Sequence, residues 1–347
     1  MNSYREIKVV IAGYGYVGRG LTDLILAERT RIAKECGLYF SVVAVADAGG
    51  IAICPQGFPL AKLHTIAWDT GSVAHYPEYG QRHLTALEAI ELSGAQMMVE
   101  CTTSDYNNAE PAITHVMQAL SLSMDIVLAN KGPLALFDLP IREAARRYGK
   151  GIAYSCAAGT GLEVLPLLSS LADAGELLGI RGIFNATSEY ILRQLQQGIP
   201  FADAVTAAQQ AGFAEKDPSL DIQGFDSAVK LLIQSNHAWG RGKTIRDIQI
   251  TGIEGLSASD IRHAAVAGNR YSLVAEAEEN EGDYTLKVAP CLLQGDDPLA
   301  RITWKDKVIE LNTRTQGRQL LYGLGGSASS AAGSVLADML RLSLTYR

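Results

Sequence analysis

Cysteine is sparse in this chain and badly placed for cross-linking. The five residues (Cys36, Cys54, Cys101, Cys156, Cys291) are widely separated, odd in number and never in a Cys-x-x-Cys pair. That argues against a disulfide framework and suits reduced thiols in a cytoplasm. The six histidines are equally scattered, and none pairs with another or with cysteine at a ligand spacing, so no metal site is expected. No Lys/Arg run offsets the net charge of −7, which excludes a nucleic-acid or anionic-membrane surface as partner. No apolar run reaches membrane-spanning length. The opening Met-Asn-Ser-Tyr-Arg-Glu-Ile-Lys has no signal-like apolar region, so the protein is expected to be cytoplasmic.

What the chain does have is bulk. Its 347 residues are 48% hydrophobic and 19% charged, enough for two domains with a sizeable core. Residues 7–12 form a β-branched apolar run. It leads at once into Gly13-Tyr14-Gly15-Tyr16-Val17-Gly18, and a helical pattern follows to about residue 36. Strand, G-x-G-x-x-G, helix is the context that a dinucleotide site needs. The first glycine permits the turn and the second lets backbone approach a pyrophosphate. The third lets helix and strand pack closely. Residues 41–46 predict a second strand ending in Asp47, placed to accept hydrogen bonds from a ribose. No arginine follows it, so NAD is expected as the preferred cofactor, with NADP possible if Lys62 or Arg19 meets its extra phosphate. Residues 48–83 read as an irregular surface excursion. Strands at 96–101 and 125–129 end at Thr102 and Asn130-Lys131-Gly132-Pro133. Alternating strands and helices predict an α/β fold with a Rossmann-type doubly wound parallel sheet, its ligands at the carboxyl ends of the strands.

The second half changes character. A small-residue loop, 157–161, enters a helix. A strand is expected over 180–187 and helices over 188–197 and 201–211. From residue 245 the pattern is β-rich, with strands over 248–253, 271–277, 284–288, 301–304 and 308–312. A glycine-rich start at 323–326 opens a last helix. The expected organisation is a dinucleotide domain over 1–154, completed by a helix from 324–347. The rest, 155–323, would be a second α+β domain for catalysis and dimerisation. Open strand edges in that domain argue for a homodimer.

Residues 211–230 are the most unusual stretch. They place Glu215, Asp217, Asp221 and Asp226 ahead of Lys230, with Asp217-Pro218 as a turn. Phe225, Ala228, Val229, Leu232 and Ile233 then recur at helical spacing. Asp226 and Lys230 are four apart and share a face. Carboxylates could hold an ammonium group, and the lysine a carbonyl oxygen. An acidic loop followed by an ordinary surface ion pair is the alternative.

Taken together, these motifs resemble the homoserine dehydrogenase family over nearly the whole chain. The matching elements are Gly13-x-Gly15-x-x-Gly18, Thr102, Ala129-Asn130-Lys131, Gly159-x-Gly161, Asn185-Ala-Thr187-x-x-Tyr190, the run from Gly212 to Lys230, and Gly323-x-Gly325-Gly326. The resemblance implies reversible reduction of aspartate 4-semialdehyde to homoserine with a nicotinamide cofactor, in the short form without a regulatory domain. It implies Lys131, Lys230, Asp221 and Glu215 as catalytic residues, and Thr187, Glu215, Asp221, Asp226 and Lys230 around the substrate. Gly13–Gly18, Asp47, Thr102, Lys131, Gly212 and Gly325 would face the cofactor. Ser155 stands where the family has glutamate, which argues against an ion held by Ala158, Thr160 and Leu162. Ala186, Glu189 and Phe213 also depart from the family and are expected to alter the substrate's surroundings. A paralogue acting on another amino-acid semialdehyde or amino alcohol, and a cofactor-binding regulatory protein without chemistry, are the alternatives.

Overall fold

The computed structural model describes residues 4–324 and 329–345. The chain divides into two compact units, Met1–Gly161 with Ser327–Arg347, and Leu162–Gly326.

The first unit opens with β1 (Arg5–Ala12) and α1 (Tyr16–Arg31), which continues as a wider turn through Ile32–Cys36. There follow β2 (Leu38–Asp47), β3 (Gly50–Ile53), α2 (Leu60–Thr70), β4 (Gly80–Gln81), α3 (Ala86–Leu92), β5 (Met97–Glu100), α4 (Ala112–Ser121), β6 (Asp125–Leu128), α5 (Gly132–Tyr148), β7 (Ile152–Ala153) and α6 (Ser155–Gly159). The strands lie in the order β4-β3-β2-β1-β5-β6-β7. From β2 to β7 every pair is parallel. The apolar runs in β1, β2, β5 and β6 are buried on both faces, as crossover helices require.

Residues 48–83, expected to be irregular, instead supply two antiparallel strands and a helix. The tight Asp47-Ala48-Gly49-Gly50 corner turns the chain straight back along β2, with Gly50 at φ +135. That reversal is open to glycine and strained for other residues.

The C-terminal helix, Ser329–Thr345, also belongs to this unit and packs on α1 and α6. Its Ala332, Val335, Leu336 and Met339 join the core formed by Ile7, Val9, Ile11 and Leu21. One polar contact fixes it. The fully buried Asp338 accepts from Ser155 N and Oγ, both at 2.7 Å, and from Arg341 Nη1 at 2.5 Å. Ser155 is therefore a structural partner of Asp338, and charge-assisted bonds of this kind are short and strong.

In the second unit α7 (Val164–Asp173), β8 (Leu177–Ile183), α8 (Ala186–Gln196), α9 (Phe201–Gln210), α10 (Ser219–Ile222), α11 (Phe225–Trp239), β9 (Ile248–Ile250), α12 (Ala258–Val266), β10 (Arg270–Asn280), β11 (Asp283–Leu293), β12 (Lys307–Thr313) and β13 (Arg318–Gly323) follow in turn. The six-stranded sheet runs β13-β12-β8-β10-β11-β9, and α7, α8, α11 and α12 pack against it. The strand expected over 301–304 is absent. Asp297 caps a short turn of helix at Pro298–Arg301, and the ladder resumes only at Lys307. No described helix is long and apolar enough to cross a membrane.

Candidate active site

The first unit carries a cleft of about 1030 Å³ at the carboxyl ends of its parallel strands, bordered by Gly13, Gly15, Asp47 and Thr102. Sterics make this loop a glycine site. A Cβ on Gly13, at φ +96, would sit 2.6 Å from the Cys101 carbonyl and the Thr102 nitrogen, and one on Gly18 would sit 2.4 Å from the Gly13 oxygen. Beside Gly15 there is open space. No side chain caps α1, and its first turn holds no carboxylate. The amide donors at its start are thus available to an anion. This donor set and open approach fit a pyrophosphate.

The other residues expected at the cofactor divide. Tyr14 contributes backbone, for its ring is buried and its hydroxyl bonds Thr22 Oγ1 at 2.8 Å. Burial pushes that hydroxyl's pKa up to about 12. Tyr16 is exposed, Val17 packs on the core and Gly18 is buried beneath the turn. Asp47 stands at the rim already engaged. Its Oδ1 accepts from Gly49 N (2.8 Å) and Ser72 Oγ (2.7 Å), and its Oδ2 from Val73 N (2.7 Å). Lys131 precedes α5, with its backbone nitrogen donating to Ser104 Oγ at 3.0 Å. Gly212 lies in the second unit, just after α9, and Gly325 lies outside the described residues.

In the second unit a polar cluster forms where the start of α8 meets α10 and α11. Asn185 caps α8, accepting from Ser188 N at 2.9 Å through its Oδ1. Its Nδ2 donates to Asp221 Oδ1 at 2.5 Å and to Asp226 Oδ2 at 3.0 Å. Lys230 Nζ donates to the same Asp226 oxygen at 2.6 Å and to the Phe184 carbonyl at 2.9 Å. Thr187 Oγ1 donates to the Phe213 carbonyl at 3.0 Å. Burial raises the pKa of Asp221, with the charge of Asp226 adding to it, against relief from Asn185, Thr187 and Lys230. Two carboxylates, one cation and an amide bridge can bind a zwitterion and leave a lysine proton near a carbonyl oxygen.

The expected residues are thus partly gathered. Asp221, Asp226, Lys230 and Thr187 meet, but Glu215 is exposed on the loop after α9, and its carboxylate bonds none of them. Asn185, the hub, was visible in the sequence only as part of a motif. Its polar side chain just before a helical run is an N-cap signal, and nothing local points to the two aspartates.

Glu189 requires a correction. It is buried away from this cluster, accepting from Ser272 Oγ and Leu273 N at 3.1 Å beside Arg270 at 3.5 Å. It lies two residues beyond Thr187 on α8, about 200° round the helix, and so faces β10. Phe213 packs at a tilt on Tyr190 and edge-to-face on Trp304, with ring centroids at 5.6 and 4.2 Å. No group of three or more potential metal ligands occurs among the described residues.

The homoserine dehydrogenase family profile matches residues 164–340. A homoserine dehydrogenase of Methanocaldococcus jannaschii is 30% identical over 335 residues, covering 96% of this chain and 98% of that protein. The chain belongs to the homoserine dehydrogenase family. A second relative, from Pseudomonas canavaninivorans, is named an NAD(+)-dependent homoserine dehydrogenase and is 29% identical over 97% of this chain and 96% of its own length. Among solved structures, the homoserine dehydrogenase of Thiobacillus denitrificans aligns with TM-score 0.84 and 27% identity, over 100% of this chain and 75% of that one. A hyperthermophilic archaeal homoserine dehydrogenase in complex with NADPH aligns with TM-score 0.84 and 25% identity, over 99% of both chains.

The strained carboxylate gives this family member a testable imbalance. A raised carboxyl pKa in the folded state favours folding below the unfolded value, and that contribution is lost as pH rises through the folded value. Asp221→Asn keeps an acceptor for Asn185 and removes the charge. Its unfolding free energy should exceed wild type at pH 7 and approach it near pH 3. Urea denaturation at the two pH values measures this, and a destabilised variant at pH 7 would contradict the assignment.

Proposed function

We propose that this protein interconverts homoserine and aspartate 4-semialdehyde with a nicotinamide dinucleotide. The observation that carries this reading is the Asp221–Asn185–Asp226–Lys230 cluster. Family membership and the glycine-lined cleft of the first unit support it. The bound nicotinamide supplies or accepts the hydride at the carbonyl carbon. The protein's own residues do the rest. Asp221 and Asp226 bind the substrate ammonium. Lys230 uses two N–H donors on Asp226 and Phe184, and its third meets the substrate oxygen. On reduction, the carbonyl π electrons move to that oxygen and the Lys230 side-chain ammonium delivers the proton. Glu215 is assigned to closing the substrate's outer side from its loop, and Lys131 to the cofactor side.

The alternative substrates lose support from Glu189, which is spent on β10 and Arg270. Ala186 and Phe213 remain as departures that could shift preference towards a related amino alcohol.

NAD(H) is the favoured cofactor. Asp47 keeps a lone pair on Oδ2 for a ribose hydroxyl, and its fixed charge repels a 2′-phosphate. Lys62 is occupied by Glu78 at 3.3 Å, and Arg19 by the carbonyls of Tyr14 and Ala67, both at 3.2 Å. A homodimer through the second unit's sheet is the proposed assembly. Its edge strand β13 exposes Leu320 and Tyr322, each 40% accessible.

Three measurements test these readings. Lys230→Met should lose turnover by roughly 3–4 kcal/mol of activation free energy while dinucleotide binding survives, and near wild-type turnover would remove it from the mechanism. The ratio kcat/KM should be higher with NADH than with NADPH, the reverse order sinking the role of Asp47. Sedimentation at micromolar concentration should give a dimer, and a monomer would refute that assembly.

A further inference from the structure

Below the cleft of the first unit lies a polar pair that the reaction does not use. Glu100, the last residue of β5, is fully buried, and His115, in the first turns of α4, is only 3% exposed. His115 Nδ1 lies 2.8 Å from Glu100 Oε2. The other carboxylate oxygen takes the Thr102 backbone N–H at 2.8 Å and the Thr102 hydroxyl. Asn130 Nδ2 donates into that hydroxyl at 3.1 Å, so the hydroxyl's own proton is directed at Glu100. With Glu100 in its ionised form both oxygens accept, and Nδ1 of His115 carries the hydrogen between them. In the neutral ring Nε2 is then a lone pair. Nε2 has no hydrogen-bond partner among the described residues, and the ring borders the cleft.

The position of that lone pair matters. Asp47 marks the ribose end of a dinucleotide, because it ends the strand next to the phosphate turn. The same cleft is also lined by Leu84, Thr85, Ala86, Glu110, Pro111 and His115. The beginnings of α3 and α4 thus border a slot in which Leu84, Ala86 and Pro111 offer apolar surface, Thr85 and Glu110 polar groups, and His115 a ring acceptor. A purine carrying an amino group matches that slot.

We propose that His115 recognises the adenine of the bound dinucleotide by accepting a hydrogen bond from its exocyclic amine, and that Glu100 is the positioning residue that fixes the tautomer. This rests on the cofactor reading above. It adds a specificity that the glycine turn and Asp47 do not supply, since they meet only phosphate and sugar.

The test compares NAD+ or NADP+, whichever binds more tightly, with its hypoxanthine analogue, in which a carbonyl oxygen replaces the amine. Dissociation constants come from calorimetry on the full chain without substrate. Wild type should bind the analogue about ten-fold more weakly, the worth of one hydrogen bond and an opposed acceptor pair. His115→Leu should bring the ratio near one, chiefly by weakening the natural cofactor. Equal affinity in wild type overturns the proposal without any variant, and so does a preference that survives in His115→Leu. Binding of neither dinucleotide would instead overturn the cofactor reading itself.

Discussion

Two carboxylates that share one amide set the terms for the second unit. Asp221 and Asp226 would repel each other across a half-buried space, and Asn185 Nδ2 donates to both. The same asparagine caps α8, so the helix start, the short α10 and the head of α11 are registered by a single side chain. Lys230 is held in turn, through Asp226 and the Phe184 carbonyl just past the end of β8. The residual strain shows in Asp221, whose carboxyl is pushed up by burial and by its neighbour. Sites that receive a ligand's charge commonly carry such an imbalance of their own.

The first unit solves a different problem, the close approach of backbone to phosphate. Glycines at 13 and 18 let strand, turn and helix interpenetrate, and no residue with a Cβ fits there. Beneath the turn, Glu100 fastens Thr102 on one side and His115 on the other. One buried carboxylate thus orders the strand-end loop and the base-facing slot together.

Much of this was legible because it is local. A strand, a glycine turn and a helix are contiguous, and the period of residues 225–233 marks α11 without further help. The i,i+4 relation of Asp226 and Lys230 likewise follows from helical geometry. What was not legible depends on partners distant in sequence. Asn185 meets Asp221 and Asp226 from 36 and 41 residues away. Glu189 was misplaced because adjacent helix positions point to different neighbours, and only β10 reveals which. Ser155 read as a lost ligand, whereas Asp338, 183 residues later, makes it a helix anchor. The β3–β4 edge was hidden by prolines and glycines that serve corners between short strands.

The two units differ in how their sequence is laid out, and this affects their birth on the ribosome. The second is continuous, from Leu162 to Gly326, whereas the first needs the helix at Ser329–Thr345 to close its core. During synthesis the second unit's whole sequence is available before the first has its last helix. Until then Ile11, Leu21 and their neighbours lack their cover from Val335 and Met339, and Asp338 is not yet there to receive Ser155. Vectorial folding, in which earlier segments usually mature first, is here inverted, and the half-built nucleotide unit is the species that a nascent-chain chaperone would meet.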